Sequence, residues 1–267
     1  MKRLADADPD LLARVHTVLT DIDDTLTTHG VLPAIAYAAL EKLKNAGLRV
    51  IPITGRPAGW CDMIARFWPV DGVVGENGAF AFRHDRASRR MIRIFEVSEE
   101  KQRSCRARLD LIAEEVVREV PGATVASDQA YRIADLAIDF SEDTPRLSDV
   151  QIEQIISIFH RHGAVAKVSS IHVNGWFGVY DKLSMSRRLL REQLGFDPGE
   201  AWDGVAYCGD SPNDEPMFRA VPLSVGVANV IDFAHLMTAR PRFVTQERGG
   251  EGFAELADRL LVARRLS

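Results

Sequence analysis

Three carboxylates stand within four residues at Asp21-Ile22-Asp23-Asp24, with Thr25 next, at the end of a β-rich apolar run over 16–22. On a strand end, side chains alternate with period two, which puts Asp21 and Asp23 on one side. Like charges converging in a cleft need a cation or a shared proton. Mg²⁺ suits that need, since it takes hard oxygen ligands and keeps waters and phosphate oxygens. The same residues also form acidic helix-capping turns, so this cluster alone leaves both readings open.

A second cluster, Gly209-Asp210-Ser211-Pro212-Asn213-Asp214, follows another apolar run, GVAYC (204–208). Its glycine allows a tight turn, and its acids stand at a helix start. In an open α/β sheet, ligands gather at the carboxyl ends of strands, so these two remote acidic loops can meet over one site. Thr54-Gly55-Arg56 after a third run adds a hydroxyl, free N–H groups and a guanidinium, all suited to phosphate. Lys182 opens a helix, where a cation opposes the macrodipole; solvation is the ordinary fate of such a lysine.

The elements that carry these residues alternate. Strands are expected at 16–22, 49–54, 71–75, 204–208 and 223–227, with helices at 33–46, 58–67, 182–194, 213–220 and 252–265. That rhythm implies right-handed βαβ crossovers and a Rossmann-like core with a mainly parallel sheet. Between them the texture changes to a hairpin (79–82 with 91–97), helices at 99–118 and 145–161, and strands at 131–140, 164–169 and near 171–179. This α+β stretch, about 80 residues, is read as an inserted domain. The expected division is 1–97 with 178–267 for the core and 98–177 for the insertion.

Composition narrows the function classes. With 33 basic and 38 acidic side chains the formal charge is −5 over 267 residues, and no basic block is present. A nucleic-acid partner is therefore not expected. Three scattered cysteines suggest neither a disulfide framework nor a zinc knuckle. The acidic N-terminal stretch does not resemble a signal peptide, and no apolar run approaches a membrane span, so a cytoplasmic protein without a membrane partner is expected.

Taken in order, Asp21-x-Asp23-x-Thr25, Thr54, Lys182 and Gly209-Asp210-x-x-Asn213-Asp214 resemble the haloacid dehalogenase superfamily over the whole chain. The insertion between the Thr54 and Lys182 segments resembles a subclass IIB cap. Gly75-Glu76-Asn77-Gly78-Ala79 and GDSPNDEPMF (209–218) are similar to the sugar-phosphate phosphatases, the sucrose-phosphatase and mannosyl-phosphoglycerate-phosphatase branch among them.

The resemblance implies a phosphatase acting on a small phosphorylated metabolite. Asp21 would be the nucleophile and Asp23 the acid and base. Mg²⁺ would be held by Asp21, the Asp23 carbonyl and Asp210, with Asp214 orienting its surroundings. Thr54, Lys182 and the Asn213 amide would hold phosphoryl oxygens. Gly55, Arg56, Asn77 and Asn174 are further substrate candidates, and Ser169, Ser170 and His172 could read sugar hydroxyls. Arg132 and Asp135 suit a salt bridge within the insertion, and Trp176 suits packing or a sugar contact. A phosphomutase, or a silent sugar-phosphate sensor, would use the same motifs. The sequence leaves substrate and oligomeric state undetermined.

Overall fold

The computed structural model describes residues 1–266. The chain enters through β1 (Lys2–Arg3) and α1 (Pro9–Ala13), then β2 (Thr17–Thr20), α2 (Ala34–Asn45), β3 (Arg49–Pro52), α3 (Ala58–Phe67) and β4 (Val73–Gly75). A hairpin, β5 (Phe80–Asp85) and β6 (Arg90–Phe95), precedes α4 (Glu99–Glu119), β7 (Thr124–Val125), β8 (Leu136–Asp139), α5 (Asp149–Arg161), β9 (Val165–Val168) and β10 (His172–Trp176). The remainder is α6 (Lys182–Leu194), β11 (Val205–Gly209), α7 (Glu215–Ala220), β12 (Leu223–Gly226), α8 (Val230–Phe233), β13 (Phe243–Val244) and α9 (Gly249–Leu266).

The expected parallel sheet is present, six strands in the order β1-β13-β12-β11-β2-β3. Its central strands are buried on both faces, as parallel strands covered by helices are. One apolar cluster, including Val18, Leu40, Val50, Phe253 and Leu256, lies on one side. Leu19, Ile51, Met185, Leu189 and Tyr207 lie on the other. β4 adds to β3 through a single parallel bridge, Ile53 to Val74, and carries the antiparallel hairpin β5–β6.

The register decides where chemistry can occur. Thr20 of β2 lies beside Cys208 of β11, and the Asp21 amide donates to the Cys208 carbonyl at 2.8 Å. The Ile53 amide donates to the Thr20 carbonyl at 2.7 Å. The carboxyl ends of three adjacent strands thus deliver Asp21, Asp210 and Thr54 to one edge.

Residues 98–177 include a four-stranded antiparallel sheet, β7-β8-β10-β9. Its own apolar cluster joins α4 (Leu109, Ile112, Val116) and α5 (Ile155, Phe159) to Ile138 and Val173. Gly175 lets Phe159 lie against β10, since a Cβ there would come within 2.1 Å of the ring. By strand alternation the opposite face carries His172 and Asn174.

Two expectations need correction. The half-exposed strand read over 131–140 exists only from Leu136 to Asp139. Before it, Gln129–Tyr131 form a 3-10 turn, and Arg132 pairs with Asp128 and Asp135. The alternation there reflects buried ion pairs instead of a wet strand face. Helix α5 begins at Asp149, later than the expected 145, because the Ser148–Gln151 capping box sets its start.

Gly78, between β4 and β5, has φ of +108°, and a Cβ would lie 2.1 Å from the Asp181 carbonyl oxygen. Gly78→Ala is therefore expected to lose at least about 2 kcal/mol of stability and to displace the start of α6. Urea unfolding beside the parent chain measures it.

Candidate active site

Lys182 is the first residue of α6, whose N-cap Asp181 accepts from the Ser184 amide at 2.8 Å. Its ammonium, 1% exposed, donates to Asp21 Oδ1 and Asp214 Oδ1 at 2.6 Å each. Burial works against the charge, but Asp21 and Asp214 outweigh it and hold the lysine pKa above its ordinary value. The lysine is a buried counter-ion, not a solvated one.

The acids crowd around it. Carboxylate oxygens of Asp21, Asp210 and Asp214 all lie within 4.8 Å of one another. Burial pushes Asp21 well above the usual carboxylate range, Lys182 opposes this, and Asp214 and Asp23 add to the rise. Asp210 is pushed up by burial, then by Asp21 and Asp214. Among the described residues its oxygens meet only neutral donors, Thr25 Oγ1 at 3.2 Å and Asn229 Nδ2 at 3.3 Å. A fully buried carboxylate without its own cation is the residue type that a hard divalent ion stabilises. This donor set fits Mg²⁺.

Asp214 plays a different part. Oδ1 accepts from Lys182 and from the Tyr207 hydroxyl at 2.6 Å, and Oδ2 accepts from the amides of Asp210 and Ser211 at 2.9 and 3.2 Å. With all four bonds made, it orients Lys182 and the Asp210 loop.

Strand alternation does not govern Asp23, because β2 ends at Thr20 and the chain turns. The Asp23 carboxylate leaves the acidic cluster and receives the Arg56 guanidinium, Nε at 2.9 Å and Nη2 at 2.8 Å from Oδ1. Arg56, expected at phosphate, also reaches Glu142 at 2.5 Å and Asp128 at 3.5 Å, and lies over the Trp60 ring. The Thr54 hydroxyl accepts from the Arg56 amide at 2.9 Å.

Other expected residues meet at the same cleft. Asp21, Asp23, Gly55, Arg56, Ser169, Ser170, His172, Asn174 and Asn213 line a cavity of about 10 Å³, room for about one water. Asn213 Nδ2 donates to Asn77 Oδ1 at 3.2 Å; the buried Asn77 Nδ2 and Ser170 Oγ have no hydrogen-bond partner among the described residues. Asn174 donates to Asp135 at 3.1 Å. Arg132 and Asp135 form the expected ion pair at 3.0 Å, and Arg132 Nη1 also donates to the Gly55 carbonyl. Trp176 stacks on Tyr180 at 5.5 Å in the apolar cluster, away from this cavity's lining.

Sequence reasoning missed Asn229, Tyr207, Glu142 and Glu76 as site residues. Asn229 had a signal, its place just beyond the carboxyl end of β12 beside β11. Tyr207 reads as an apolar strand residue, and Glu142 and Glu76 have no local signal. Glu76 is fully buried and accepts N–H groups from Ala58, Ile133, Ala134 and Asp135 at 2.6–3.2 Å. It thereby ties the β4–β5 loop to the segment before β8.

Residues 18–115 match the family of haloacid dehalogenase-like hydrolases. The chain has the fold of solved haloacid dehalogenase hydrolases. A phosphoglycolate phosphatase of Methanopyrus kandleri is 26% identical over 254 residues, spanning 91% of this chain and 96% of that protein. The sucrose-phosphatase of Synechocystis sp. PCC6803, solved with sucrose and phosphate, superposes with TM-score 0.63 at 14% identity, over 91% of this chain and 97% of that one. A subclass IIB sugar phosphatase of the haloacid dehalogenase superfamily superposes with TM-score 0.62 at 13% identity, covering 93% and 100%. No helix among the described residues is long and apolar enough to cross a membrane.

Glu76 yields a pH prediction. Burial, with Asp135 adding, pushes its carboxyl up to about 8 from 4.5. Unfolding then releases a proton between those values, so its favourable share of stability is full below about 4.5 and is lost as pH rises to about 8. Melting temperature should fall from pH 5 to 8.5. Glu76→Gln should start several degrees lower, since its amide faces N–H donors, and decline less steeply.

Proposed function

We propose that this chain is a phosphatase that hydrolyses a small phosphorylated metabolite, in its finer form a sugar phosphate, with Mg²⁺ and through an aspartyl-phosphate. The observation that carries the reading is Asp21, a buried carboxylate bonded to Lys182 at the end of a central parallel strand, with the cation-poor Asp210 beside it. The phosphatase names of the relative and the two structural neighbours support it.

Asp21 attacks phosphorus, and the alcohol oxygen departs as the acyl phosphate forms. Asp23, at the cleft mouth, gives the leaving oxygen a proton and then takes one from the water that cleaves the acyl phosphate. Lys182 and Thr54 meet the phosphoryl oxygens. Asp21, Asp210 and the Asp23 carbonyl would hold Mg²⁺, while Asp214 keeps Lys182 and the Asp210 loop in place. When bound, the ion supplies positive charge against the negative charge that spreads over the phosphoryl oxygens. Residues 98–177 act as a cap, lowering Ser169, Ser170, His172 and Asn174 onto the cleft. Movement of that cap would enlarge the roughly one-water space over Asp21 for a phosphate monoester.

Asp21→Asn should reduce inorganic phosphate release by at least about 10³-fold with the melting profile retained, a loss of the size that removing a covalent nucleophile brings. Normal turnover in that variant would remove Asp21 from the nucleophile role. Chelation should silence the parent chain and added Mg²⁺ restore it; activity unchanged in EDTA would refute the metal assignment.

A further inference from the structure

Glu142 stands on the loop after β8, and that loop is built rigidly. The buried Asp139 carboxylate accepts the amides of Ser141, Glu142 and Asp143 at 2.8 Å each. The loop thus presents one carboxylate to a cleft of about 290 Å³ lined by Asp23, Asp24, His29, Arg56, Glu142 and Ser170, which shares Asp23, Arg56 and Ser170 with the small cavity over Asp21. Burial raises the Glu142 carboxyl, but contact with His172, whose Nε2 lies 2.9 Å away, and with Arg56 outweighs it and brings it down to about 2.

The cleft is short of available cations. Its one guanidinium, Arg56, already faces Asp23 at 2.8 Å, Glu142 at 2.5 Å and Asp128 at 3.5 Å. Lys182 is held by Asp21 and Asp214. A leaving group with its own carboxylate would enter against Asp23, Asp24 and Glu142; besides the shared Arg56, His29 lines the cleft, and Arg146 and Arg248 line the adjoining cavity, where they pair with Asp149 and Asp232. Like charges so placed discriminate strongly. Hydroxyl groups would find acceptors in those carboxylates, and a partner in the Ser170 hydroxyl, which lines the cleft.

Resting on the phosphatase reading, we propose that Glu142 is a specificity-determining residue that restricts the site to phosphate monoesters with an uncharged, hydroxyl-bearing leaving group and excludes those with a second anionic group.

The test uses the full chain with Mg²⁺ at neutral pH and two pairs matched in size: glycerol 3-phosphate against 3-phosphoglycerate, and glucose 6-phosphate against 6-phosphogluconate. Phosphate release should favour the uncharged member of each pair by about tenfold or more in kcat/KM. Glu142→Gln should narrow that ratio several-fold, mainly by lowering KM for the anionic member, and Glu142→Ala should act in the same direction. Preference for the anionic member in the parent chain overturns the proposal, as does a ratio unmoved in two folded variants. Absence of release from all four esters and from p-nitrophenyl phosphate would instead refute the phosphatase reading, and this assignment with it.

Discussion

One ion cluster constrains the rest of this protein: a single buried ammonium, Lys182, set among three buried carboxylates. Removing such charges from water costs several kcal/mol for each ion, and close geometry with further hydrogen bonds is what offsets that cost. The structure supplies both on one side. Asp214 has four donors, and Lys182 is fixed at 2.6 Å from two oxygens. On the other side the compensation is incomplete, because Asp210 has only Thr25 and Asn229 as side-chain partners. The protein's own groups leave an excess of negative charge next to its candidate nucleophile. On the proposed reading, an ion that neutralises this excess would also favour a phosphate dianion there.

Lys182 shows how the fold serves the site at a local cost. A cation in the first turn of a helix opposes the macrodipole. The Asp181–Ser184 capping box holds the helix start despite it, and Gly78, with no side chain, lets the β4–β5 loop pass against the Asp181 carbonyl. The lysine is thus fixed from below by a backbone contact and from above by Asp21 and Asp214.

The parallel sheet was legible in the sequence because buried parallel strands are continuous apolar runs, and those runs stand out between amphipathic helices. That Asp21 and Asp210 meet was legible for a topological reason: both follow such runs, and strand ends share one edge of the sheet. What was not legible depends on long-range pairing. Asp23 and Arg56 look like phosphate-site residues from their motifs, yet in this structure each takes the other's charge. Glu142 lies in an ordinary acidic turn, and only its amide's bond to Asp139 and its approach to Arg56 give it a direction. Arg132 and Asp135 imitate a strand pattern because their burial is ionic. Short edge strands such as β1 and β13, two residues each, carry too little periodicity to be read.

The two attachments of residues 98–177 to the parallel-sheet core differ in kind, and that difference organises the cleft. At one side Glu76 accepts three consecutive backbone amides, Ile133 to Asp135, and Arg132 donates to the Gly55 carbonyl. These bonds tie two buried side chains, Glu76 and Arg132, to main-chain groups. The second connection is a pair of side-chain ion pairs from Arg56 to Asp128 and Glu142, in which Glu142 is 28% exposed. Partly wet ion pairs between long side chains are weaker and respond to any new charge in their midst. Asn174 of β10 is joined to the Glu76 edge through Asp135, to which it donates at 3.1 Å, whereas Glu142 lies at the more exposed Arg56 edge.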